Sequence, residues 1–416
     1  MVAATLGNAL EFYDFLTYVF FSIQIGHAFF PSHSAYASLM LSLATFGAGF
    51  VTRPLGAIVI GAYSDRAGRR PAMMLSMSLM GAAILGMALI PTYRTIGAAA
   101  PLLAVLARMV QGFSFGGEVG PTTAYLLEAA PLNRRGLVVS WQGASQGLAG
   151  LAASLIGVGL TNVLAPSALD AYGWRIAFLI GAVTLPFALW IRRNLPETLH
   201  TPEPAAPASR ATTRLGLAGE HRRIIGLTLT AAAEGSVGTY VFFYLTTFAQ
   251  NTLHIPARAA FLAQAAGSLA GVISVLVGGW LSDKVGRRPV MIWPNLLYLI
   301  LLIPVFDWII ASRSAFALIV GAASLHFVSQ MTNGAFYAAV TESLPKPIRG
   351  GAFAIAYALA LTIFGGTTQL VVTWLIHTTG NPMAPAWYVV GATCIGQIAF
   401  LLIRESAPAK AAQIAG

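Results

Sequence analysis

The chain has 416 residues, 57% of them hydrophobic and only 9% charged, with a formal net charge of +10. Soluble domains carry about 25% charged residues, so this chain has too little polar surface to face water on all sides. Its single cysteine, Cys394, excludes an internal disulfide and any multi-cysteine metal site.

Apolar runs of about 18 residues or more recur from end to end, the pattern of an all-α polytopic membrane protein. Twelve helices are predicted, at approximately 4–28, 36–63, 71–91, 99–128, 136–164, 174–192, 222–249, 257–283, 289–309, 314–343, 349–378 and 385–404. The first starts almost at Met1, lacks a basic n-region and carries Glu11 and Asp14, which argues against a cleavable signal peptide. Abundant glycine, 42 residues, fits close packing between membrane helices. The segment from Asn194 to Glu220 contains Pro196, Pro202, Pro204 and Pro207 and reads as a linker.

Basic residues are distributed unevenly. Arg66, Arg69, Arg70, Arg134, Arg135, the arginines from Arg192 to Arg223, Lys284, Arg287, Arg288, Lys346 and Arg349 fall in even-numbered loops. With Arg404 and Lys410, that side holds eighteen of the 24 basic residues. The positive-inside rule then predicts cytoplasmic termini in a multi-pass protein of the cell inner membrane. The positive charge is therefore topological, and no nucleic-acid partner is expected. Phosphate loops, paired metal-binding histidines and nucleophile elbows are absent, so neither enzyme chemistry nor a cofactor or metal is expected. A monomer in the bilayer is the expectation.

The chain also repeats itself. Gly61-Ala-Tyr-Ser-Asp65-Arg66-Ala-Gly-Arg69-Arg70-Pro71 returns as Gly279-Trp-Leu-Ser-Asp283-Lys-Val-Gly-Arg287-Arg288-Pro289, 218 residues later. Glu128-Ala-Ala-Pro131 with Arg135-Gly136 returns as Glu342-Ser-Leu-Pro345 with Arg349-Gly350, 214 residues later. Parallel repeats in a membrane chain predict two bundles moving about a shared site. The expected division is a six-helix bundle over 1–193, a linker over 194–220 and a second bundle over 221–416.

These duplicated acid-and-basic-turn motifs resemble the signature of the major facilitator superfamily, as does Arg108 followed by Glu128 and Arg135-Gly136. Gly7-Asn8-Ala-Leu-Glu11-Phe-Tyr-Asp14-Phe15, Arg53-Pro54-Leu-Gly56-Ala57 and Arg108-Met-Val-Gln111-Gly112-Phe-Ser114 are similar to its metabolite:proton symporter family. Gly117-Glu118, Ser140-Trp-Gln142-Gly-Ala-Ser-Gln146 and Phe364-Gly365-Gly366 resemble the citrate/tricarballylate branch. The resemblance implies that Asp65 and Asp283, with Arg66, Arg69, Arg70, Arg287 and Arg288 near them, bridge the halves when the cytoplasmic side is shut. Glu128–Arg135 and Glu342–Arg349 are expected to add a second gating layer.

A charge at the bilayer centre costs at least ~2.5–3.5 kcal/mol, so every ionisable residue inside the membrane needs a reason. Glu11, Asp14, Arg53, Arg108, Glu118 and Glu234 are such residues. At ~1.5 Å per residue, Asp14, Arg53 and Glu118 reach similar depth, making an Asp14–Arg53 pair feasible, with Arg108 in the outer half. Four acids against two arginines require at least one acid to hold a proton in some state. Asp14, then Glu118, then Glu11 are the candidate proton carriers. Arg108 and Arg53 are the candidate anion holders, because a guanidinium grips a carboxylate two-pronged. A static interhelical clamp of Glu11, Asp14 and Arg53 is the alternative.

Polar stripes at helical spacing complete a candidate pocket: His326, Gln330, Asn333 and Tyr337 on the tenth helix, Gln142, Ser145 and Gln146 on the fifth, Tyr240, Tyr244 and Thr247 on the seventh. Asn8, Tyr18 and Gln111 add donors from the first and fourth. Interhelical glue is the competing role for each stripe, and a hydrogen-bonded core position the competing role for His326. Trp174, Trp308 and Trp387 are expected at the membrane interface. The whole predicts proton-coupled symport of a small organic carboxylate, citrate or a related di- or tricarboxylate, by alternating access. An aromatic acid, a zwitterion such as a betaine, and a non-transporting sensor are the alternatives.

Overall fold

The computed structural model describes residues 2–67, 69–116, 123, 126–193, 219–344 and 349–408. Among them there is no strand, and the helices line up as twelve rods. The first six are α1 (Val2–Phe20, then Ser22–Phe29), α2 (Ala35–Val51, then Arg53–Ala67), α3 (Arg69–Leu89), α4 (Ala99–Phe115), α5 (Arg135–Val163) and α6 (Trp174–Arg193). The last six are α7 (Gly219–Asn251), α8 (Ala257–Val285), α9 (Arg287–Ser312), α10 (Ala315–Ser343), α11 (Arg349–Ala360, a π-turn over Leu361–Gly365, then Gly366–Thr379) and α12 (Ala384–Leu402). Most of the expected linker, residues 194–218, lies outside the described residues.

By length and composition, seven of these helices can cross a bilayer, among them α5, α8, α9, α10 and α12. Shorter apolar stretches, Met74–Leu89 and Ala99–Phe115, lie in α3 and α4. The rods begin and end for local reasons. Ser34 and Ser314 cap α2 and α10 by accepting from the N–H groups of Ala37 and Ala317 at 3.3 and 3.1 Å. Between α8 and α9 the backbone reverses at Gly286 with φ +106°, a conformation that a side chain strains. A Cβ there would also meet the Glu405 carboxylate at 2.6 Å.

Outward faces are apolar, as a lipid-facing surface requires: Val163, Val183, Trp293, Ile300 and Phe316 are all strongly exposed. Trp308 and Trp387 are exposed, at 39% and 56%, whereas Trp174 is wholly buried against Phe29 and Phe178. The interfacial position expected for Trp174 is corrected accordingly: it sits at the entrance of α6 but turns inward, where the adjacent Arg175 covers its ring at 4.3 Å. The two sets of rods meet along α5 against α8 and α2 against α11.

Candidate functional site

Two buried features lie between the rods. The first depends on how closely α2 and α4 cross. A Cβ at Gly112 would overlap the Gly49 carbonyl oxygen, and one at Gly56 would overlap that of Phe113. Thr52 Oγ1 donates across the crossing to the Met109 carbonyl at 2.7 Å. Only glycine permits this approach, and it brings Arg53 and Arg108 into the wall of one small pocket with Phe15, Gln111 and Phe115. Both arginines are buried, 4% and 2% exposed. The Arg53 guanidinium lies over Phe50, Phe115 and Phe15 at 4.0, 4.3 and 4.9 Å from the ring centroids. Arg108 lies over Tyr18 at 4.5 Å and donates from Nη1 to Gln111 Oε1. Ring faces of this kind stabilise a desolvated guanidinium by ~2 kcal/mol each.

Asp14 is 1% exposed, and neither of its oxygens has a hydrogen-bond partner among the described residues. The cation whose charge acts on it is Arg108. Among the described residues Asp14 makes no ion pair with either arginine, and Arg108 shares a pocket with Arg53 rather than standing apart from it. Counting residues measures length along a rod; it carries no tilt, and it assumed an unbroken helix from Arg108 to Glu128 where α4 is described only to Phe115.

The second feature is a central cavity of about 60 Å³ between the two sets of rods. Gln146, Tyr240, His326, Gln330, Asn333 and Tyr337 line it. Sequence reasoning missed Phe12, Phe243, Phe336, Tyr357, Ser236 and Thr239, which line it too. Tyr357 has only apolar residues one turn away to mark it, yet its hydroxyl lies 3.4 Å from that of Tyr337, and it lines the cavity together with Gln146. The Tyr240 hydroxyl meets the Arg53 side chain, so this tyrosine touches both features. His326 stacks flat on Phe242 with centroids 3.6 Å apart, in space left by Gly271.

Other stripe members are glue. Asn8 donates to Ser145 Oγ at 2.7 Å and accepts from Gln142 at 3.3 Å, tying α1 to α5. Tyr18 donates to the Ser42 carbonyl at 3.0 Å, and Tyr244 accepts from Thr373 at 3.0 Å. Asn8, Gln142, Tyr18 and Tyr244 make interhelical contacts and are not among the residues lining the central cavity, although Tyr18 carries Arg108 on its ring; helical spacing cannot distinguish an inward face from a helix–helix seam. Glu118 and the side chains of Glu11, Asp65, Arg69, Arg70 and Arg349 lie outside the described residues.

At the face carrying the basic loops, a buried network joins the two sets of rods. The Asp283 carboxylate at the end of α8 accepts from the N–H groups of Gly136 and Leu137 at 2.7 and 2.9 Å. These are orphan donors at the start of α5, where the helix dipole also favours an anion. Arg287 donates to Asp283 at 2.7 Å and, two-pronged, to Glu342 at 3.1 and 3.0 Å. Of the expected second layer, Glu342 accepts from Arg287 while the Arg349 side chain lies outside the described residues, and Glu128 is exposed with no ion pair to Arg135 among the described residues. Arg66 is exposed, while Arg288 donates to the Leu401 carbonyl. On the opposite face Tyr36 of α2 stacks on His377 of α11 at 3.7 Å, and Ser22 bonds Thr247 at 2.9 Å. The two sets of rods thus touch above and below the cavity.

Residues 1–201 match the family described as sugar (and other) transporter, and residues 251–416 match the major facilitator superfamily. A citrate-proton symporter of Salmonella typhi is 38% identical over 408 residues, covering 98% of this chain and 94% of that one. The chain belongs to the major facilitator superfamily. Within it, the chain is a member of the metabolite:proton symporter family and hence a transporter, not an enzyme. The alpha-ketoglutarate permease of Escherichia coli strain K12 is 34% identical over 407 residues, covering 97% of this chain and 92% of that one. A solved proton:xylose symporter bound to 6-bromo-6-deoxy-D-glucose superposes with a TM-score of 0.76 at 19% identity, over 97% and 95% of the two chains, a likeness of fold. That fold is the twelve-helix, two-bundle architecture of the superfamily, in a multi-pass membrane protein that moves an organic substrate with protons.

Proposed function

We propose that this protein imports citrate or a related di- or tricarboxylate together with protons across the cell inner membrane. The observation that carries this reading is the pair of buried guanidiniums in one pocket beside an acid without a hydrogen-bond partner. Two arginines supply bidentate contacts for about two carboxylates, and the hydroxyls of Tyr240, Tyr337 and Tyr357 supply neutral donors for the remainder. The name of the Salmonella relative points to the same substrate class. Asp14 takes a proton when the substrate engages Arg108 and regains the guanidinium after release, which links anion binding to proton binding.

In this reading, residues 1–193 and 221–416 rock about the cavity, and the face with the Asp283–Arg287–Glu342 network is cytoplasmic. That network holds the cytoplasmic side shut in one state and opens in the other, setting the balance between states. The chain acts as a monomer. A second reading has one observation in its favour: Phe12, Tyr240, Phe243, Tyr337 and Tyr357 line the cavity with no arginine or lysine among its lining residues. An aromatic acid or a betaine fits ring faces better than citrate does. Thermal-shift measurements with citrate, an aromatic acid and glycine betaine separate the two, since a ligand of the folded state raises apparent stability. Protection by citrate that is stronger in acidic than in alkaline buffer supports the first reading; protection by betaine alone replaces it with the second.

A further inference from the structure

The carboxyl of Glu234 belongs to neither feature described so far. It sits on α7 and is 8% exposed, and among the described residues it makes no ion pair or hydrogen bond. Its side chain fits a notch in α12: a Cβ added at Gly396 would collide with the Cβ and Cγ of Glu234. The surroundings are polar but uncharged. Asn295 of α9 donates to Gln397 of α12 at 3.0 Å, leaving the Gln397 Nε2 donor buried without a partner, as is the hydroxyl of Thr393 one turn away. Both residues are at least nine-tenths buried.

Tyr298, one turn from Asn295 on α9, is the titratable group electrostatically coupled to Glu234. From α12 no titratable residue joins it. Tyr357 and Tyr337 of α11 and α10, and His326 of α10, line the central cavity, and Asp14 of α1 belongs with Arg108. The titratable groups of α8 lie at its two ends, in Arg258, Asp283 and Lys284. No lysine, arginine or histidine thus faces Glu234 among the described residues. An ionised carboxylate held at this depth costs several kcal/mol without a counter-charge. A proton is the ligand that removes the cost.

We propose that Glu234, in the notch between α7, α9 and α12, is a second proton-binding site that loads and unloads during transport, separate from Asp14. The inference rests on the symport reading above. Its neighbours Ala231, Ala232 and Gly235, one to three residues away, line the central cavity, so water there can deliver and remove the proton. When the carboxylate is bare, the unpartnered Gln397 N–H group supplies a donor for it; when protonated, it needs none.

Protons carried per substrate can be measured in proteoliposomes by titrating the membrane potential that just halts uptake of labelled citrate. Glu234→Gln, a mimic of the protonated acid, is expected to keep uptake but lower that ratio by about one. An unchanged ratio overturns the proposal. If wild type itself carries no citrate, the symport reading fails first and this comparison is made by infrared spectroscopy of the purified protein. There, a protonated-carboxyl band that vanishes at alkaline pH and is missing from Glu234→Gln supports the site, and a wild-type spectrum without such a band overturns it. Should Glu234→Gln not fold, Gln397→Leu removes the donor offered to the bare carboxylate and is expected to raise the pH midpoint of that band; an unmoved midpoint overturns the proposal.

Discussion

Arg108 and Asp14 are the residues on which coupling turns. A hydrogen bond to a charged group contributes about 1.5–3 kcal/mol, so Arg108→Ala is expected to weaken citrate binding roughly 10- to 100-fold, read by thermal shift or calorimetry. Arg108→Lys keeps the charge but loses the planar fork, and should recover only part of it. Asp14→Asn removes one of the two proposed proton sites and is expected to leave substrate exchange intact while weakening the response to an imposed pH gradient, the remainder being carried by Glu234. If its pH dependence matches wild type, another acid carries the proton. Both residues were legible in the sequence because a charge inside an apolar run demands a function. The pairing of the two arginines was not: Arg53 and Arg108 reach one pocket through the glycine crossing of α2 and α4, which residue spacing does not record. Tyr357 was illegible for the opposite reason: the positions one turn away from it, Phe353, Ala354, Ala360 and Leu361, are all apolar.

At the level of elements, two contacts determine what the site can do. The crossing of α2 and α4 sets the arginines side by side, so Gly112→Val, which pushes against the Gly49 carbonyl, is expected to lose anion binding although no charge is touched. The network at the basic face is the other. Arg287→Ala strands Asp283 and Glu342 without their cation, and breaking a buried pair from one side costs about 3–5 kcal/mol. A lower unfolding temperature is expected, together with faster labelling of a cysteine placed at Ser140 in a Cys394→Ser background; unaltered labelling would remove the network from gating. The 218-residue repeat made Asp283 conspicuous from sequence. What the repeat could not convey is that Asp283 caps α5 while Glu342 turns to Arg287, since a motif names the residues and not their partners.

For the whole molecule, the twelve-rod architecture was the most legible property, because a bilayer imposes helix length and apolarity more strictly than water does. The predicted and observed rod ends differ by a few residues, mainly where caps and short turns extend a helix past its apolar run. Which face of each rod looks inward was far less legible: in a membrane protein the outer surface is as apolar as the core, so polarity marks seams and cavity alike. Contacts between the two sets of rods lie on both sides of the central cavity. The central claim is that this protein carries a carboxylate and protons together. Purified protein in liposomes, given labelled citrate and an inwardly directed proton gradient, tests it most directly. Accumulation of citrate above its outside concentration, abolished when the gradient is collapsed, is the predicted result; uptake that never exceeds that of empty liposomes would contradict the account.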